Sequence, residues 1–161
     1  MTDSSGVRDA FKNRCANAAS TLAPCVGYFI SRISFDAFTE EDSLEITLRE
    51  GPWKPEVVVS LSNLHHVSVD KPPQIVGSFI DEISLVHLPK LPHPWPADAI
   101  DRVRRFDGLC ELAWLRITGP VEIDAVASIV TVYTAMSDDQ RPASLSMSSQ
   151  MPMGLHAVRS E

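Results

Sequence analysis

His65, His66, His87 and His93 are, by type, the side chains best suited to general acid–base work or metal ligation. His65 and His66 are adjacent in a segment that reads as strand, so their imidazoles point to opposite faces and cannot easily share one ion. His87 closes a second strand-like segment and His93 lies among prolines. A pocket reading therefore sets His65 or His66, His87 and Arg104 between a sheet and a helix, as the polar groups of a small enzyme or ligand-binding domain. Ordinary half-exposed imidazoles are the more economical reading, because a metal site also needs partners that orient its ligands.

Other reactive patterns are missing. The chain has no G-x-S-x-G, Gly-rich phosphate loop, H-E-x-x-H or EF-hand loop, and only seven glycines. Cys15, Cys25 and Cys110 are odd in number and form no C-x-x-C, which points to buried free thiols rather than a disulfide framework or zinc knuckle. Glu40, Glu41 and Asp42 fall in a turn, where solvation keeps carboxylates simply ionised. The expectation is a non-enzyme with no catalytic residue, no metal and no cofactor.

Charge directs the functional reading. Fourteen basic against 21 acidic residues give a net charge of −7, which repels phosphate backbones, so nucleic acid is not an expected partner. Residues 36–50 hold six acidic side chains and one basic, Arg49. Glu40, Glu41, Asp42 and Glu45 are accordingly the candidate contacts to a basic protein, with electrostatics mainly accelerating association. A solvated hairpin edge kept soluble by charge is the plain alternative.

HLPKLPHPWP (87–96) combines four prolines, two histidines and Trp95. It carries the bare P-x-x-P spacing of polyproline II ligands, yet it joins two ordered elements. The favoured reading is a stiff connector in which Trp95 folds back over the following helix start. Its rigidity also makes His93 and Trp95 candidate partner contacts.

Several elements are needed to position these groups. DSLEITLRE (42–50) alternates apolar and polar residues with period two, the pattern of a half-buried strand. VGYFISRISFDAF (26–38) and PEVVVSLSNLHHVSV (55–69) flank it, and together they predict a three-strand meander joined by TEED and GPWKP. Segment 77–88 reads as strand, with helix as the alternative. PADAIDRVRRFDG predicts a short helix over about 97–107, with Asp98 and Asp101 toward its positive end and Arg104 and Arg105 toward the other. LCELAWLRIT and PVEIDAVASIVTVYT read as a final strand pair, with helix as the alternative for the second member. Residues 7–20 can form one helix.

The expected fold is α+β and mainly β: an antiparallel sheet, or two packed sheets, with the short helix and an N-terminal helix. The expected organisation is a helix or extension over 1–24, a β-rich domain over 25–136 and a Ser/Met-rich tail over 137–161. No apolar run approaches the roughly 18 residues of a membrane span, and the N-terminus lacks the basic and apolar regions of a signal peptide. A cytoplasmic location follows as the expectation. Taken together, these features predict a non-catalytic protein-binding domain of inhibitor, immunity-type or adaptor kind. The His/Arg pocket and a homo-oligomeric assembly subunit stand as the alternatives.

Overall fold

The structure is a computed structural model that describes residues 5–37, 40–71 and 77–136, with side chains from residue 10 onward. It is mainly β, with six antiparallel strands in one sheet. The chain begins with α1 (Ser5–Leu22) and a 3-10 turn (Ala23–Cys25), then forms β1 (Phe29–Asp36), β2 (Ser43–Arg49) and β3 (Glu56–Asp70). β4 (Glu82–Leu88), a single helical turn α2 (Ala97–Ile100), β5 (Leu112–Thr118) and β6 (Glu122–Ala135) complete it. The strand order is β1-β2-β3-β6-β5-β4, built from two meanders joined through the two long strands.

Those long strands change environment midway. The first half of β3 pairs with β2 on one side, whereas residues 64–70 lie beyond β2 and pair only with β6. At the junction Asn63 takes φ +54° and the register shifts between Leu64 and His66, leaving His65 as an extra, exposed residue. Asparagine tolerates this left-handed conformation better than a branched side chain, and such bulges increase the local bend.

The bend folds the sheet onto a single interior. Leu44, Ile46, Leu48, Val59 and Leu61 from one half share a core with Leu85, Ala113, Leu115, Ile117 and Ala125 from the other. One side is closed where the chain leaving α1 meets the chain entering β4: Gly27 N–H donates to Ile80 O at 2.9 Å, and Ile80 N–H donates to Tyr28 O at 2.7 Å. Helix α1 lies against β4 and β6 and inserts Phe11, Cys15, Ala18 and Leu22 at helical spacing. It is therefore part of the main core, and the division of the chain at residue 24 does not correspond to separate packing units.

A second core covers the opposite face of β4, β5 and the first half of β6. There Trp95, Ala99, Val103 and Leu109, all from the connection between β4 and β5, seal Leu88, Leu112, Trp114 and Val126. The helix expected over about 97–107 is only four residues long, and the chain continues as turns from Asp101. Its apolar residues are anchored one by one on the sheet rather than as a helical face: Ala99 and Val103 are buried, while Ile100 and Phe106 are exposed. Of segment 77–88 only Glu82–Leu88 is strand, with 77–81 irregular, and Glu122–Ala135 is strand, as β-branched content indicated. The proposed tail, 137–161, lies outside the described residues. Among the described residues no helix is long and apolar enough to cross a membrane.

Candidate functional site

Two regions of the sheet exterior gather polar side chains. The first is the end of the β1–β2 hairpin. Asp36 and Ser43 are cross-strand partners, as are Ser34 and Glu45, so these residues share the exterior face while Leu44 and Ile46 enter the core. Glu40, Glu41 and Asp42 occupy the exposed connection, and Asp42 O accepts from Asn63 N–H at 3.0 Å, tying it to the bend in β3. Tyr133 Oη donates to Glu45 at 3.5 Å. Partial burial and then the Glu45 carboxylate push the Tyr133 phenol above its ordinary pKa.

Within residues 36–45 there is no basic side chain; Arg32 and Arg49, each four positions away, are the nearest in sequence. Phe35, on edge strand β1, is 57% exposed, but it pairs with Leu44 and so lies on the opposite face from Asp36 and Glu45, whereas Ile129 and Tyr133 are exposed on the carboxylate side, on the exterior of β6. No described element lies over the exterior of β1, β2 and the second half of β6. At the other end of the same face the charges are paired, Arg49 with Glu56 at 2.9 Å and Lys54 with Glu50 at 3.3 Å.

The second region is a cavity of about 250 Å³ lined by polar groups of β3, β5 and β6 and by Arg102. Asp124 is its hub. Trp114 Nε1 donates to Asp124 Oδ1 at 2.8 Å, and Arg102 Nε donates to Oδ2 at 2.9 Å. His66 Nε2 is buried without a hydrogen-bond partner and lies 3.9 Å from Asp124 Oδ1. Arg116 stacks on Trp114, with its guanidinium carbon 5.1 Å from the ring centre.

His66, Ser68 and Asp124 share this face and are by type a nucleophile, base and orienting acid. Their contacts do not assemble such a relay: Ser68 Oγ donates to Asp70 at 2.5 Å, and the His66–Asp124 separation exceeds a hydrogen bond. The buried thiols are equally unsuited to nucleophilic attack. Burial pushes Cys15 and Cys25 up to about 11, so both stay protonated at neutral pH. Among the described residues no group of three or more metal-type ligands is present.

The four pocket residues singled out by sequence do not converge. His66 lines the cavity, but His65 sits on the bulge and Arg104 is exposed. His87 faces the opposite side of the sheet, 5.8 Å from the Phe11 ring and 3.7 Å from Glu111 Oε1. The cations that line the cavity are Arg102 and Arg116. Trp95 is only 6% exposed, with its indole N–H donating to Pro89 O at 2.6 Å and Arg105 stacked 4.5 Å over the ring. Such burial removes it as a partner contact and makes it a lid on the second core. His93 is exposed, with its carbonyl accepting from Arg105 at 2.7 Å.

Asp124, Trp114, Arg116 and Glu122 are not singled out by type or motif, whereas Asp70 is, as a possible oxygen ligand beside the histidines. The available signal was positional: Glu122 and Asp124 alternate with Ile123 and Ala125 in an otherwise apolar run, which places two carboxylates on one strand face. Compared with protein-family models, with curated proteins and with solved structures, the chain gives no significant match.

Proposed function

We propose that this protein is a non-catalytic binding domain that engages a basic protein through the acidic end of the β1–β2 hairpin. The supporting observation is the gathering of Asp36, Glu40, Glu41, Asp42 and Glu45 at one hairpin end, without a basic residue in 36–45, on the face where Tyr133 is exposed and donates to Glu45. An exposed aromatic beside like charges has the form of an anchor with a steering rim, in which the ring contributes affinity and the carboxylates accelerate encounter. The unactivated thiols and the Ser68 hydroxyl directed to Asp70 favour binding over catalysis.

The test is affinity capture from the source cells with the wild-type chain and with a Glu40→Lys, Glu41→Lys, Asp42→Lys variant. A basic protein held by wild type, released by salt and absent from the variant supports the reading. Equal capture by both chains rejects it.

A further inference from the structure

The Asp124 cavity carries an arrangement that folding does not require. Asp70 and Glu122 are cross-strand partners on the exterior face, and like charges directly opposed weaken a strand pair. Among the described residues neither has a cationic partner; Asp70 accepts only the Ser68 hydroxyl. Two guanidinium groups nevertheless border the same space. Arg102 is held through Nε alone, by Asp124 Oδ2, which leaves both of its Nη groups uncommitted among the described residues. Arg116 is held through its face by Trp114, and its Nη1 reaches only to 3.9 Å from Asp98 Oδ2, beyond a hydrogen bond.

Each cation is thus fixed by a buried or stacked support while keeping donors free, the condition for recognising a carboxylate. The two kinds of charge are also separated. Arg116 is the cross-strand partner of Asp124, two residues along β6 from Glu122, which corresponds to about 7 Å along a strand. The His66 Nε2, buried and without a partner, borders the same cavity.

We infer that this cavity binds a small zwitterion of the size of a free amino acid, with its ammonium group between Asp70 and Glu122 and its carboxylate on the Arg102 and Arg116 forks. The ammonium removes the carboxylate repulsion, and the carboxylate takes the donors that Asp124, Asp98 and Trp114 leave open. A cation or an anion alone satisfies only one half. This site stands independently of the acidic hairpin end, since it shares no residue with it.

γ-Aminobutyrate, butyrate and butylamine have the same carbon chain and carry both charges, the negative charge alone and the positive charge alone. Each is titrated into the full chain while the indole N–H resonance of Trp114 is followed by NMR. Saturable movement with γ-aminobutyrate, and none at equal concentration with the other two, is the expected result. Arg116→Gln and Glu122→Gln alter exposed side chains and are each expected to weaken binding about tenfold, the loss of one charge-assisted contact. Glu122→Lys is expected to abolish binding while raising the thermal midpoint of the unliganded chain, because it relieves the opposed charges. Absence of a saturable shift with γ-aminobutyrate, or an equal response to butyrate alone, would overturn the inference.

Discussion

Asp124 joins groups that are costly to leave unpaired. The Trp114 side chain is almost fully buried, and its indole N–H has Asp124 as its acceptor. Asp124→Ala strands that donor, for which the desolvation cost is about 1–3 kcal/mol. Asp124→Asn keeps an acceptor and is expected to lose less. Chemical denaturation of both variants checks the order, and equal losses would assign the effect to charge instead.

The cysteines give a second residue-scale expectation. Burial raises the folded-state values of Cys15 and Cys25 from 9.0 to about 11, so the folded chain retains protons that the unfolded chain releases. The stability linked to these thiols is complete below about pH 9 and declines as pH rises toward 11. At neutral pH a thiol reagent should rapidly modify exposed Cys110 alone, then all three cysteines after denaturation. Buried free thiols are the expectation from sequence, and Cys15 and Cys25 meet it whereas Cys110 is exposed, because which thiol is covered depends on tertiary packing and has no local signature. For the same reason His66 and Arg102 could not be matched from spacing: their meeting depends on β3, β6 and a run of turns separated by tens of residues.

At the scale of elements, strands were the most legible part of the sequence. Leu44, Ile46 and Leu48 alternate with Ser43, Glu45 and Thr47, and they enter the core as that period requires. The bend at Asn63 was not legible, because it arises from strand register, and it decides which face His65 and His66 occupy. In the connection after β4, Trp95 folds back onto the second core as expected, whereas the helix expected over about 97–107 spans only Ala97–Ile100. Asp101 to Gly108 carries helix-compatible residues, but anchoring Val103 and Leu109 on Trp114 and Leu112 favours turns.

This connection has a measurable weight. Trp95→Ala removes the lid of the second core and is expected to cost about 3–5 kcal/mol in denaturant unfolding. A loss well under 1 kcal/mol, as for an ordinary surface residue, would show that the lid contributes little. Gly119 offers a different test of the junction with β4. A Cβ there would lie 2.7 Å from Phe79 O and 3.0 Å from Ile80 Cα. Both are backbone atoms, so Gly119→Ala should lower the thermal midpoint clearly, and an unchanged midpoint would contradict the close approach.

Over the whole molecule, a folded sheet with one interior leaves two exterior surfaces of different character. One carries the capped second core and the Asp124 cavity; the other ends in the acidic hairpin and exposed Tyr133. Net charge and the acidic cluster were visible in composition, since charge is additive along a chain. The aromatic beside the cluster was not, because Tyr133 meets Glu45 only once β6 is placed beside β3 in the sheet. Tyr133→Ala should cost little folding stability but weaken partner binding by a factor of ten or more, of the size of an interface anchor. Binding measurements on a purified complex provide the check, and undiminished affinity would remove Tyr133 from the interface.

The most direct measurement is native mass spectrometry of the complex purified from source cells at low and high salt, for wild type and the Glu40→Lys, Glu41→Lys, Asp42→Lys variant. The acidic-interface reading predicts a basic protein bound to wild type at low salt, lost at high salt and absent from the variant. A partner retained by the variant at both salt concentrations would contradict it.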